Sequence, residues 1–334
     1  MTRGHGAAEN DWPRRSRDGT VVRMAPPEHP DPPPSERVWR QLEAAPRAAL
    51  ERDLSQADLQ TLLLDVASQR AAAVTPARLM QRWRQDRYVM PSASDPREVW
   101  RTEARLWELL PEDFTGVELS PVTPLGSCTA LGPVSQNWVI STIRGSEVVS
   151  DPTNVLALEA AWRRREAGVT AAPVHLACCQ TVLRAQPFDA PGAFQHFRLF
   201  ALVTSARDRG SAATEAAMLI THLTFWTAAL GAIAQGRDAT LSYTVFGFPP
   251  LTERINDTVL PAIQPLPGNV TLTEDPDRQH GRGYYERGAI KLYVDDMEIG
   301  DGGFTDWTAQ LNNDAKERCL TSCMSTERLA ALTA

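Results

Sequence analysis

The sequence predicts an α+β fold: a mainly antiparallel sheet flanked by helices, with a helical N-terminal region in front of it. Three observations carry this prediction. Residues 35–112 place apolar side chains at helical spacing, beginning with Val38, Trp39, Leu42 and Leu50. After Pro111 the texture changes to short β-rich runs separated by turn residues. Those runs come in groups with unequal connections, which disfavours the regular β-α-β alternation of a doubly wound sheet.

In chain order, residues 1–34 hold Arg14, Arg15, glycines and the run Pro26 to Pro34, a composition that favours an extended, solvated, disordered tail. No apolar stretch follows its arginines, so no secretory signal is expected. Ser55 is placed to cap a helix carrying Leu59, Leu62, Leu63 and Val66. Pro76 and Pro91 punctuate further helices, the last spanning roughly Asp95 to Leu110. The expected domain from 113 to 334 then offers strands at Val117–Val122, Trp138–Ile143, Val174–Leu183, Phe197–Thr204, Leu241–Phe246 and Ala289–Val294. Helices are expected over 153–167 and 212–236. Within the second, Ala216 to Ala234 is 19 residues without a formal charge, long enough to span a bilayer. Thr221, His222, Thr224 and Thr227 dilute it and strands follow closely, so a buried core helix is the expectation, with no membrane partner.

The 334 residues are 43% hydrophobic and 22% charged, enough to bury a core and to exclude wholesale disorder. With 34 Lys+Arg against 41 Asp+Glu the net charge is −7, which disfavours general binding of nucleic acid or anionic membrane. Lys291 and Lys316 are the only lysines; the other 32 cations are arginines, suited to gripping phosphate and carboxylate. The five cysteines are Cys128, Cys178, Cys179, Cys319 and Cys323. An odd number, with no signal peptide in view, predicts reduced thiols and a cytoplasmic location. Cys319 and Cys323 lack a second Cys or His pair, so no metal site is expected.

Arg184 ends an expected strand, a turn cluster Gln186 to Gly192 follows, and Phe197 to Val203 resumes as a second strand. An arginine at the mouth of such a hairpin either grips a phosphate bidentately or pairs with an acid such as Asp189. Two glycine clusters, Gly281-Arg282-Gly283-Tyr284-Tyr285 and Gly300-Asp301-Gly302-Gly303, allow close backbone approach to a ligand or serve tight turns. No P-loop, dinucleotide fingerprint, zinc-protease motif or catalytic Ser-His-Asp pattern is present. Glu327 and Arg328 fall in a small-residue helix, where an ion pair on a solvated face is expected.

In this order, the segments over about 117–332 resemble the catalytic core of class II aminoacyl-tRNA synthetases, in particular the histidyl-tRNA synthetase group and its shortened paralogues. Val182-Leu183-Arg184-Ala185-Gln186 and Gln195 to Phe200 resemble the second family motif, with Gln186 where Glu is usual. Arg282-Gly283-Tyr284-Tyr285 resembles the histidyl Arg-Gly-x-x-Tyr-Tyr element, and Asp301 to Asp306 its Gly-Gly-Arg-Tyr-Asp turn. Ser322 to Leu329 resembles the third motif, with Ser322 and Ser325 in place of glycines. Ser150 to Asn154 stands where the histidyl group reads the substrate amino group.

This resemblance implies a set of roles. Arg184 would hold the ATP α-phosphate and the substrate carboxylate, beside Gln186 and Phe197. Arg328 would hold the far phosphates of a bent ATP, with Mg²⁺ assisting. Asp151, Thr153, Asn154, Arg282, Tyr284, Tyr285, Gly302 and Gly303 would contact the substrate. The implied activity is adenylation of an amino acid or related carboxylate by a homodimer. Leu199 and Val203 stand where the imidazole is read, so histidine is not the expected substrate. The chain ends six residues after Arg328, so an anticodon-binding domain and tRNA charging are not expected. A carrier protein, peptide or small amine would accept the activated group. The alternative is a non-catalytic paralogue that regulates another enzyme.

Overall fold

The structure is a computed structural model that describes residues 34–333, apart from 43, 169–170 and 187–193. The predicted tail lies outside the described residues, except for Pro34, which opens a helix. The chain divides into two units, 1–62 and 63–334. The first holds the short helices Pro34–Trp39 and Ala44–Ala48. The helix foreseen from the leucine spacing runs over Gln56–Ala72, and the hydroxyl of Ser55 accepts the Asp58 N–H at 3.1 Å.

The second unit is built on one mixed sheet. Helix Pro76–Gln85 precedes α1, Pro96–Leu109, which starts on Pro96 with Asp95 accepting the Arg97 N–H. The strands are β1 (Phe114–Gly116), β2 (Val122–Pro124), β3 (Ser146–Val148), β4 (Val174–Leu183), β5 (His196–Arg207), β6 (Ala239–Val245), β7 (Val270–Glu274), β8 (Gly288–Val294), β9 (Met297–Thr305) and β10 (Glu317–Ser325). Eight of them form the sheet in the order β1-β4-β5-β10-β9-β8-β6-β7, while β2 and β3 pair separately. Only the edge pairs β1/β4 and β6/β7 are parallel.

Strand alternation divides the core into two layers. On one face Phe200 and Leu202 of β5 and Leu292 of β8 pack with α1, with α3 (Ala213–Ile233) and with Leu329 of α4 (Thr326–Thr333). On the other, Ala201 and Val203 pack with Leu156, Ala157 and Ala160 of α2, Pro152–Ala167. By length and composition α3 qualifies as a membrane span. Here it is a core helix, with Leu223, Phe225, Trp226 and Leu230 buried against the sheet.

Several predicted boundaries are corrected. Residues 117–121 are not strand; pairing occurs on either side of them, in β1 and β2. Trp138–Ile143 is a short helical turn, Gln136–Trp138, followed by single bridges from Val139 to Arg184 and from Ser141 to Glu147. Residues 300–305 are strand, not a turn cluster, and Cys323 to Ser325 belong to β10, not to the helix after it. No ion pair links Glu327 to Arg328 among the described residues: Glu327 faces Ser92 and Ser94, and Arg328 donates to the Glu298 carbonyl.

A polar chain runs through the α3 layer. The Trp226 indole N–H donates to Ser322 Oγ at 2.8 Å, and Ser322 bonds His222 Nδ1 at 2.8 Å. His222 Nε2 meets Thr204 Oγ1 at 2.9 Å, which in turn meets His175 Nδ1 at 2.9 Å. The indole N–H can only donate to the Ser322 hydroxyl, and His222, bonded on both ring nitrogens, is neutral in this buried chain. Burial first, and the neighbouring His175 second, depress its pKa from 6.5 to about 3. The unfolded chain therefore takes up a proton that the folded chain refuses. Stability is unaffected by this group above pH 6.5 and falls as pH drops from 6.5 towards about 3. Denaturation midpoints followed from about pH 7 to about pH 4 should fall, and fall less steeply in His222→Gln.

Candidate functional site

The α2 face of the sheet opens into a cavity of about 230 Å³ beside the first turn of α2. Arg184 lines it just beyond the end of β4. Its backbone N–H donates to the Gln195 carbonyl at 2.8 Å, and its Nε donates to the Ser150 carbonyl at 2.8 Å. The guanidinium carbon lies 5.2 Å from the centre of the Phe197 ring. Among the described residues no carboxylate pairs with it, and Asp189, the alternative partner, lies outside them.

Carboxylates line the same cavity. Asp151 caps α2, its Oδ1 accepting the Thr153 N–H at 2.9 Å and the Thr153 hydroxyl at 2.7 Å. The Tyr284 hydroxyl reaches Asp151 Oδ2 at 3.4 Å, and the Tyr285 hydroxyl donates to Asp301 Oδ2 at 3.1 Å. Asn154 lines the same cavity, only 1% exposed, and its Oδ1 has no hydrogen-bond partner among the described residues. Burial, and then the nearby charge of Asp151, push the Asp301 carboxyl up, while the Tyr285 hydroxyl and the Arg278 charge pull it down. Burial holds both tyrosines well above their ordinary range, so they stay protonated donors. Burial also pushes the Cys128 thiol up to about 11 and the Cys323 thiol well above its usual range. Neither cysteine of the cavity is a thiolate nucleophile.

Of the residues predicted from sequence, Arg184, Gln186, Asp151, Thr153, Asn154, Tyr284 and Tyr285 come together around this cavity, with Phe197 against Arg184. Two arginines do not join them. Arg282 is exposed, donates from Nε to the Arg278 carbonyl at 3.1 Å and lies over the Phe246 ring. Arg328 is exposed on α4 and donates to the Glu298 carbonyl at 2.9 Å. Gly302 and Gly303 support the site from β9. A Cβ on Gly302 would come within 2.6 Å of Ser322 Cβ, and one on Gly303 within 2.5 Å of Tyr285 Cγ. Gly303→Ala should therefore destabilise the fold by about 1–3 kcal/mol, read from chemical denaturation, and shift Tyr285 from Asp301.

The serines in the third motif-like segment have structural partners. Ser322 turns its hydroxyl into the α3 layer, and Ser325 Oγ accepts the Arg328 N–H at 3.3 Å at the start of α4. Sequence reasoning missed Asp301 as a site residue. Alternation along β9 was the signal available: it puts Asp301 and Gly303 on one face, under the tyrosines.

No protein-family model and no curated protein sequence matches the chain. Solved structures do. Apo histidyl-tRNA synthetase from S. aureus aligns with TM-score 0.53 at 14% identity, over 73% of this chain and 69% of that one. Histidyl-tRNA synthetase from Nostoc sp. PCC 7120 aligns with TM-score 0.53 at 13% identity, over 74% of each chain. A Bacillus halodurans protein described as an ATP phosphoribosyltransferase regulatory subunit/histidyl-tRNA synthetase aligns with TM-score 0.53 at 10% identity, over 70% of this chain and 80% of that one. At these identities the likeness establishes the fold.

Proposed function

We propose that this class II synthetase-like core binds an amino acid or related carboxylate, activates it with ATP and passes it to a non-tRNA acceptor. The acceptor is a carrier protein, a peptide or a small amine. The observation that carries this reading is Arg184, without a carboxylate partner among the described residues, lining one cavity with the carboxylates Asp151 and Asp301. Such polarity suits a zwitterion, with its carboxylate on Arg184 and its ammonium towards Asp151.

The reaction is attack of the carboxylate oxygen on the α-phosphorus of ATP, with pyrophosphate leaving. Two anions must meet, so a fixed cation at the developing charge supplies the main stabilisation. Arg184 is oriented for this by the Ser150 carbonyl and the Phe197 ring. At about 230 Å³ the cavity suits an amino acid, while a nucleotide would extend beyond its mouth. Among the described residues no carboxylate or histidine cluster is arranged to hold a metal. Magnesium would arrive on the phosphates of ATP. A net charge of −7 favours an acceptor other than tRNA. A cytoplasmic homodimer belongs to the same reading.

A second reading has its own observation. Arg282 and Arg328 both lie outside the cavity lining, which favours a subunit that binds an amino acid and regulates another enzyme without turnover. ATP–pyrophosphate exchange with pools of amino acids separates the two. Exchange stimulated by one pool supports the ligase. Amino-acid binding with no exchange in any pool supports the regulatory subunit.

A further inference from the structure

We propose that the ligand of this cavity is an amino acid with a basic side chain, whose second cationic group is received by Asp301 and Asn154. The inference rests on the reading of the cavity as an amino-acid site. Its lining carries two carboxylates, Asp151 and Asp301, against the single guanidinium of Arg184. A zwitterion adds no net charge, so an amino acid with a neutral side chain would leave Asp301, whose carboxyl burial already pushes up, with no cation bonded to it among the described residues. Uncompensated charge in a partly desolvated site is strongly unfavourable. A second ammonium or a guanidinium removes the imbalance.

Hydrogen bonding points the same way. The two tyrosine hydroxyls already direct their hydrogens to Asp151 and Asp301. They therefore present lone pairs, not donors, to a ligand. Asn154 Oδ1 is buried without a donor among the described residues, and a buried acceptor left in that state is destabilising. Among the described residues Asp301 Oδ1 meets only the Cys323 thiol, a weak donor, at 4.0 Å. The other cation near Asp301 is Arg278, whose guanidinium lies 5.7 Å from the Tyr285 ring centre. Two of its donors are taken by the His280 and Ile290 carbonyls, at 2.8 and 3.0 Å. It lowers the negative potential at Asp301 without forming an ion pair with it among the described residues. The site thus sets two carboxylates beside one anion-gripping fork, complementary to a ligand with one carboxylate and two cationic ends.

Titration calorimetry on the full chain tests this, using L-lysine, L-ornithine and L-arginine against the neutral L-norleucine and L-methionine. At least one basic amino acid should bind about tenfold or more tighter than norleucine, as a hydrogen-bonded charge pair implies. In Asp301→Asn that ratio should collapse towards one. Norleucine or methionine binding as tightly as every basic amino acid would overturn the inference and leave the amino-acid reading standing. An Asp301→Asn variant that weakens all ligands equally would also overturn it. Should that variant fail to fold, the ranking by the unmodified protein decides alone. Binding of no amino acid at all would remove the inference together with the reading beneath it.

Discussion

Replacing Arg184 by alanine should abolish amino-acid-stimulated exchange of pyrophosphate into ATP, a fall of about 10²–10³-fold or more. The size follows from its position as the only cation lining the cavity among the described residues. A preorganised donor aimed at developing charge contributes most where water is displaced and no neighbour can substitute. The other two arginines expected at the site, Arg282 and Arg328, are engaged with the Arg278 and Glu298 carbonyls outside the cavity lining. The fold should survive the change. The side chain is half-buried and its contacts are one carbonyl and one ring face, so a loss of about 1 kcal/mol in stability is expected. Arg184→Lys keeps the charge but not the fork that bonds Ser150 and presents two further donors, and should restore only part of the activity. Calorimetry on the same variants separates binding from chemistry. If the unmodified protein binds an amino acid without exchange, and Arg184→Ala loses that binding, the regulatory reading is the one supported.

Much of the fold was legible because its largest elements carry strong periodic signals. The apolar run of α3, the Pro-initiated α1 and α2, and the β-branched and aromatic strands β4 and β5 announce themselves through spacing and propensity. Strands β9 and β10 did not. Their residues around Gly300, Gly302 and Gly303, and around Cys319, Thr321 and Ser322, are small and show no apolar alternation. The reason is steric: a Cβ on Gly302 would collide with the backbone of the neighbouring strand, so a requirement of pairing erased the propensity signal. The site was legible to the extent that segment order aligned it with a known core. That order drew attention to Arg184, Gln186, Asp151, Asn154 and the tyrosine pair, which line one cavity. Side-chain direction was not legible. Nothing in the sequence distinguishes Arg282, which turns to Phe246, or Arg328, which turns to Glu298, from an arginine facing a ligand.

Removing either partner of the Arg164–Glu317 pair should destabilise the protein by about 3–5 kcal/mol in denaturant unfolding. Arg164 in the last turn of α2 and Glu317 at the start of β10 have side chains only 1% and 5% exposed. Two parallel bonds join them, Nε to Oε2 at 3.0 Å and Nη2 to Oε1 at 2.9 Å. The remaining groups are satisfied too. Nη1 of Arg164 donates to the Ala171 and Ala172 carbonyls at 2.8 and 3.0 Å, and the Ser205 hydroxyl donates to Glu317 Oε2 at 3.3 Å. A buried pair this complete gives little net stability over an apolar replacement, yet breaking it strands a charge in the core. Glu317→Ala and Arg164→Ala should therefore each be severe, and Arg164→Met with Glu317→Leu should recover most of the loss. Single variants within about 1 kcal/mol of the parent would show that water reaches the pair, contrary to its burial. The effect should also reach the cavity, because α2 carries Asp151 and Asn154 at its other end. A helix freed at its C-terminal turn can shift both acceptors together. The same single variants, assayed well below their unfolding midpoints, should bind the amino acid more weakly, and the apolar double variant should bind it nearly as the parent does.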